Sequence, residues 1–160
     1  MVAPKTSASN GPPSAGGVLW LGECASTNIE ALARLATPQV RAVAALTQTA
    51  GRGRQGRRWY SDASLCLSWI ARPPCSLAHG SLLPLMAAVV LAEYCETLGV
   101  TATVKWPNDL LVDGRKLAGI LCEARTEGAA WSAVVGIGLN LETPPDGWPI
   151  PCDRDLTARL

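Results

Sequence analysis

The chain predicts an α+β fold: a mixed, largely antiparallel sheet with helices packed on one face. Three observations predict it. Apolar residues recur at every second position in Val100, Ala102, Val104 and Trp106, and again in Trp131, Ala133, Val135, Ile137 and Leu139, the period of a half-buried strand. Asp113-Gly114 stands between the apolar runs Leu110 to Val112 and Lys116 to Ala124, a strong hairpin signal. Ser81 to Leu98 is apolar nearly all round, with Pro84 near its first turn and Gly99 just past its end, as a helix buried on a sheet would be. Met86 and Tyr94 of that helix are expected in the core.

The remaining elements follow in chain order. Residues 1–17 are mostly Pro, Gly, Ser and Ala, the composition of a disordered tail. A single domain is expected over 18–160. Val18 to Leu21 reads as a short buried strand. Thr27 and Glu30 have capping-box spacing, and Ile29, Leu32, Ala33 and Ala36 share one helical face until Pro38 ends the helix. Val40 to Thr47 and Leu65 to Ile70 have strand character, and Gly119 marks a bulge or a close backbone approach within its strand.

Composition narrows the function. With 160 residues, 48% hydrophobic and 17% charged, the chain can bury a real core. A net charge of +1 provides no global attraction for nucleic acid. The cysteines (Cys24, Cys66, Cys75, Cys95, Cys122, Cys152) lack C-x-x-C spacing and any zinc pattern. Without a secretory h-region near the start, free thiols and a reducing cytoplasm are expected. The apolar run Leu82 to Ala92 is short for a bilayer and contains Pro84.

One stretch departs from this balance. Gly51-Arg52-Gly53-Arg54-Gln55-Gly56-Arg57-Arg58-Trp59 places four arginines and three glycines together with no acid among them. Glycine lets backbone approach a ligand closely, arginine offers a fixed fork of donors to phosphate or carboxylate, and a closing tryptophan offers a face on which a base can stack. The stretch reads as an anion-binding loop for a nucleotide; a merely solvated basic loop is the alternative. Its glycines spell G-x-G-x-x-G, but a strand pattern follows rather than a helix, and no acid lies about 20 residues on, so the dinucleotide fingerprint fails. A Walker loop fails because Arg57-Arg58 follows Gly56. Ser26 and Thr27 fall at a helix N-terminus, where capping accounts for one hydroxyl and leaves the other free for a ligand. His79, in a Pro-rich connection, has no nucleophile or acid patterned with it.

The polar residues that the core does not require fall in segments that resemble the catalytic domain of biotin protein ligases. These are Ser26-Thr27-Asn28, Gln48-Thr49-Ala50 running into the arginine loop, Lys105-Trp106-Pro107-Asn108-Asp109, Gly114 to Leu121 and Gly136-Ile137-Gly138-Leu139-Asn140. They occur in the family's order between about residues 18 and 141. The resemblance implies a fold like that of class II aminoacyl-tRNA synthetases and biotin ligases. It also implies ATP-dependent conversion of biotin to biotinyl-5′-AMP, with Mg²⁺, then transfer to a lysine of a biotin carboxyl carrier domain of a carboxylase. Such an enzyme would be cytoplasmic and a homodimer, with no nucleic-acid or membrane partner.

Position by position, the resemblance implies that Ser26, Thr27 and Gln48 bond the ureido ring, and that Gly51, Arg52 and the strand from Gly119 to Leu121 wall the biotin pocket. Arg54 and Arg57 meet phosphates, Trp59 stacks on adenine and Asn140 bonds it. Lys116 bridges the biotin carboxylate and the α-phosphate, while Asn108 and Asp109 face the phosphates and their Mg²⁺. Each has a structural alternative: Asp109 ordering its turn, Asn140 capping a strand, Trp59 lying in the core, Lys116 solvated. The loop is expected to be disordered without ligand and to close over the adenylate, because an empty site offers its arginines no anion to offset the cost of ordering them.

Two departures stand out. Ser61-Asp62-Ala63-Ser64 lacks the glycine and asparagine usual in the family's turn there. After Asn140, a Pro-rich link and Asp153 to Leu160, the start of a helix, stand where a small C-terminal barrel is expected in relatives. No helix-turn-helix is expected ahead of the domain, and so no repressor activity. A non-catalytic binder of biotin or its adenylate, a lipoate-type ligase and an RNA-binding Gly/Arg loop are the competing functions.

Overall fold

Alternating apolar residues draw the chain into strands wherever one face can be buried. The structure is a computed structural model that describes residues 13–14, 16–61, 64–73, 76–127 and 130–141. Most of the tail expected over 1–17, and the helix start expected at Asp153 to Leu160, lie outside the described residues. Among these, the strands are β1 (Val18–Cys24), β2 (Ala42–Gln48), β3 (Ser64–Ala71), β4 (Thr103–Lys105), β5 (Asp109–Val112), β6 (Arg115–Glu127) and β7 (Ala130–Asn140). The helices are α1 (Thr27–Leu32) and α2 (Leu83–Thr97).

The strands form one sheet in the order β1-β2-β3-β7-β6-β5-β4. Only β1 and β2 run parallel, joined through α1; every other pairing is antiparallel. The sheet is therefore mixed and largely antiparallel, as the alternation predicts, and it does not close into a barrel. The Asp113-Gly114 turn forms with φ of 50° and 76°, the positive values that a two-residue hairpin of the primed type requires.

The helices divide between the two faces rather than sharing one. Ala31 of α1 packs with Leu19, Leu21, Val43, Ala45, Ile70 and Val134. Ala88 of α2 packs with Ala71, Ile120, Ala133 and Val135, and Cys95 with Val100, Leu110, Val112 and Leu117. Ile70 and Ala71 are neighbours in β3, as are Val134 and Val135 in β7, so the two clusters lie on opposite sides of the pleat. Leu110, Leu117 and Ile120 are almost wholly buried, each worth roughly 1.5–3 kcal/mol relative to exposure.

Four local expectations are corrected. The helix expected from Ser81 starts at Leu83, after a 3₁₀ turn over Leu77–Leu82. Only Ala88 and Cys95 of α2 are buried, while Met86 and Tyr94 are 59% and 58% exposed. A helix touches a sheet along one stripe, so an all-round apolar sequence still leaves a bare side. The continuous helical run Leu77–Thr97 is, by length and composition alone, long and apolar enough to cross a membrane; the expectation from Leu82 to Ala92 had missed its extent. Trp106, expected on the inner face of a strand, lies beyond β4 in a turn and is exposed.

Candidate active site

The α1 face of the sheet carries a shelf made by missing side chains. Gly138 of β7 stands opposite Gly119 of β6 and Cys66 of β3, with Gly136 opposite Leu121 and Ser68. The indole of Trp59 lies on the first pair. A Cβ on Gly119 would come within 2.8 Å of Trp59 Cζ3, and one on Gly138 would overlap the indole outright. Asn28 occupies the space above Gly136 in the same way. The close approach expected at Gly119 is thus realised; the register shift falls in its neighbour, between Leu110 and Leu111 of β5.

The arginine loop closes over this shelf as a small hairpin. Arg52 and Arg58 form an antiparallel bridge, Gly53 N donates to Arg57 O at 2.7 Å, and Trp59 N donates to Gly51 O at 3.0 Å. Its tip, Arg54–Gly56, is a single 3₁₀ turn with positive φ at Gln55 and Gly56. No helix follows; the chain runs on toward β3, in keeping with the rejected dinucleotide fingerprint.

Its arginines meet acceptors within the protein. Arg52 Nη2 donates to Glu123 Oε2 at 2.6 Å and Arg54 Nη1 to Asn108 Oδ1 at 3.1 Å. Arg58 donates to Thr49 O at 3.3 Å and lies over the Tyr60 ring. Arg57 reaches only Arg54 O and Gln55 Oε1, both at 3.4 Å, and is exposed. Across the shelf, Lys116 Nζ lies 2.7 Å from Asp109 Oδ1 and 5.6 Å from the centre of the Trp59 ring. Asn108 is pinned to β6 by reciprocal bonds with Ile120, each 2.9 Å long.

A polar patch adjoins the shelf at the start of α1. The expected capping box does not form. Ser26 is the N-cap without a side-chain cap bond, and Glu30 pairs with Arg34 instead. Gln48 takes over the capping from 21 residues away: its Oε1 accepts from Thr27 N at 2.7 Å and Thr27 Oγ1 at 3.1 Å. Ser68 Oγ lies 2.8 Å from Thr27 Oγ1 and 2.6 Å from Asn28 Oδ1, its one proton serving either. Ile29, expected to face inward, is exposed, because Thr27, Asn28 and Ala31 form the inner face. Hydroxyls and an amide can lie inward here because they satisfy each other.

Ser26, Thr27, Gln48, Arg52, Arg54, Arg57, Trp59, Asn108, Asp109, Lys116, Gly119 and Leu121 all line one cavity of about 100 Å³. Gly51 does not line that cavity but is buried against Trp59 O and the Gln48 amide; it also borders a second groove of about 600 Å³ on the loop's outer side. Asn140 lies beside the shelf rather than in the cavity lining. Its Nδ2 donates to Lys116 O and its Oδ1 accepts from Ser64 Oγ, both at 3.0 Å, so it ties the backbone under Lys116 to β3.

Several residues that organise the site drew no role from the sequence. Ser68 and Cys66 share a face of β3 with Ile70, and a serine on an inward face was the available signal. Ser61 Oγ donates to Gln48 O at 3.2 Å and accepts from Gln48 N at 2.7 Å, fixing the strand end that carries the amide. Glu123 follows Gly119 and Leu121 at a period of two, so alternation alone puts it on the site face. Burial is the main cause that pushes the Cys66 thiol up to about 12, so it stays protonated at neutral pH and is no nucleophile. The Trp59 indole N–H is buried without a hydrogen-bond partner.

Opposed cations, a flat aromatic on a glycine shelf and an adjoining polar patch thus meet at one cavity. Residues 21–140 match the model of the Biotin/lipoate A/B protein ligase family, and the chain belongs to that family. It is 38% identical over 122 residues to the bifunctional ligase/repressor BirA of Bacillus subtilis, covering 74% of this chain and 38% of that one. The crystal structure of biotin protein ligase from Leishmania major in complex with biotinyl-5-AMP matches with a TM-score of 0.73 at 26% identity, covering 89% of this chain and 64% of that one. Biotin protein ligase from Aquifex aeolicus in complex with biotin and ATP matches with a TM-score of 0.61 at 31% identity, covering 83% and 55%. The chain therefore spans less than two thirds of the length of each of these relatives.

Proposed function

We propose that the protein activates biotin with ATP to biotinyl-5′-AMP and transfers the biotinyl group to a lysine of a carrier protein. In the first step a carboxylate oxygen of biotin attacks the α-phosphorus of ATP, and pyrophosphate leaves. In the second, an acceptor amine attacks the acyl carbon of the anhydride, AMP leaves, and the amine loses its proton. The observation that carries this reading is the convergence of Lys116 and Arg54 on one cavity, between the Trp59 shelf and the Thr27–Gln48 patch. Two anions brought together there need fixed positive charge more than they need a protein nucleophile.

In this reading Thr27 and Gln48 exchange their mutual bonds for bonds to the ureido ring, with Ser26 beside them. Gly51, Arg52, Gly119 and Leu121 wall the biotin pocket. Arg54 and Arg57 hold phosphates, Trp59 stacks on adenine, and Lys116 leaves Asp109 to sit between the biotin carboxylate and the α-phosphate. Asn140 reaches adenine only by giving up Ser64 or Lys116 O. Among the described residues no group of three His, Cys, Asp or Glu could form a metal cage, which suits a Mg²⁺ bound mainly by phosphates. Asp109 and Asn108 would hold that Mg²⁺, whose contribution is to neutralise phosphate charge. The acceptor is a biotin carboxyl carrier domain, the working form a homodimer, and the compartment the cytoplasm.

A pyrophosphate-release assay with biotin, ATP and Mg²⁺ tests the reading. The protein is expected to release pyrophosphate only when biotin is present. Arg54→Ala should slow release by about 10²-fold, the scale of losing one donor to a developing phosphoryl charge. No release from a protein that still binds biotin would make it a non-catalytic binder, and stronger competition by lipoate than by biotin would reassign the substrate.

A further inference from the structure

We propose that Glu123 is a positioning residue that holds the arginine loop over the shelf and ties it to the polar patch where the biotin ring is placed. The inference rests on the proposed reading, in which Arg52 walls the biotin pocket, and it adds a residue to which that reading assigns nothing.

One carboxylate oxygen joins two parts of the site. Glu123 Oε2 accepts from Arg52 Nη2 at 2.6 Å and from Asn28 Nδ2 at 2.8 Å. Asn28 is 4% exposed; its Nδ2 also donates to Leu121 O at 3.2 Å, and its Oδ1 lies 2.6 Å from Ser68 Oγ. Ser68 in turn touches Thr27, which donates to Gln48. A continuous polar chain thus runs from the loop to the residues assigned to the ureido ring. On the other side, Arg52 is bridged to Arg58, and Trp59 N bonds Gly51 O. Fixing Arg52 therefore fixes both arms of the hairpin and the indole that follows.

Charge makes Glu123 suited to this. Among the described residues it is the one carboxylate lining the groove on the loop's outer side, where Arg52, Arg54, Arg57 and Arg58 also lie. Besides the Trp59 indole seated on the Gly119–Gly138 shelf, the loop is attached to β6 through this charge-assisted bond, about twice as strong as a neutral one. Because Asn28 keeps the same oxygen in place, the acceptor is aimed before any ligand arrives.

Hydrogen exchange on ligand-free protein, wild type against Glu123→Gln, tests this without reference to biotin. Glutamine keeps an acceptor for Asn28 and removes only the charge that faces Arg52. Amides of residues 51–59 should exchange about tenfold faster, with the β6 and β7 amides and the Tm unchanged, and the KM for biotin in pyrophosphate release should rise about tenfold with kcat within twofold. Equal loop exchange in the two proteins overturns the proposal. So does a general loss of β6–β7 protection with a lower Tm, which would make Glu123 a structural residue. Should Glu123→Gln fail to fold, Arg52→Met breaks the pair from the other end: a tenfold gain in loop exchange supports the proposal and no gain overturns it. If wild type releases no pyrophosphate with biotin, the proposed function fails while the exchange comparison still decides the role of Glu123.

Discussion

Lys116→Ala is expected to lower biotin-dependent pyrophosphate release by about 10²–10³-fold, the scale measured when one preorganised donor to developing charge is removed. Lys116 and Arg54 approach the cavity from opposite sides, from β6 and from the loop, so neither can replace the other. In the ligand-free site the ammonium lies 2.7 Å from the Asp109 carboxylate, the contact it exchanges for the two substrates. Stability should change little, because a partly exposed pair contributes no more than about 1 kcal/mol and Asn140 bonds the backbone carbonyl of residue 116 rather than its side chain. The check is single-turnover adenylate formation beside a thermal melt. A rate within twofold of wild type, at unchanged Tm, would remove Lys116 from the chemistry.

Gly138→Ala should weaken ATP binding about tenfold to a hundredfold. A Cβ there overlaps the Trp59 indole at Cε2 and Cζ2, and the ring cannot move down because β7 lies beneath it. It must tilt off the shelf, giving up a stacking contact worth roughly 1–3 kcal/mol per base, at about 1.4 kcal/mol per tenfold. Gly136→Ala is the matched control. Its Cβ meets Asn28 instead, so it should cost about 1–3 kcal/mol of stability through overpacking while sparing nucleotide affinity. Calorimetric titration with ATP separates the two; equal ATP affinity in Gly138→Ala and wild type would mean that Trp59 does not carry the base.

Local patterns made much of this legible. Alternation placed β7 and β4, the Asp113-Gly114 turn set the β5–β6 hairpin, and Gly99 ended α2 with a φ of 76°. Each is decided by neighbours in the chain, where side-chain periodicity and glycine's freedom act directly. The arginine loop was equally plain, because four cations interleaved with glycine stand out against a nearly neutral chain.

What failed was whatever depends on distant partners. Thr27 reads as a cap with Glu30, yet its neighbours in space are Gln48 and Ser68, which only the pairing of β2 with β3 brings to it. Met86 and Tyr94 read as core by hydropathy, but which side of α2 meets the sheet is a tertiary matter.

By itself the sequence determined the strand and turn pattern, the family and the cationic character of the loop, since those reside in residue type and spacing. Only the tertiary structure decided that the helices take opposite faces, that Gly119 and Gly138 sit side by side beneath Trp59, and that Glu123 meets Arg52. Strand register aligns residues far apart in the chain, and a hydrogen bond or a missing Cβ matters only once that alignment exists.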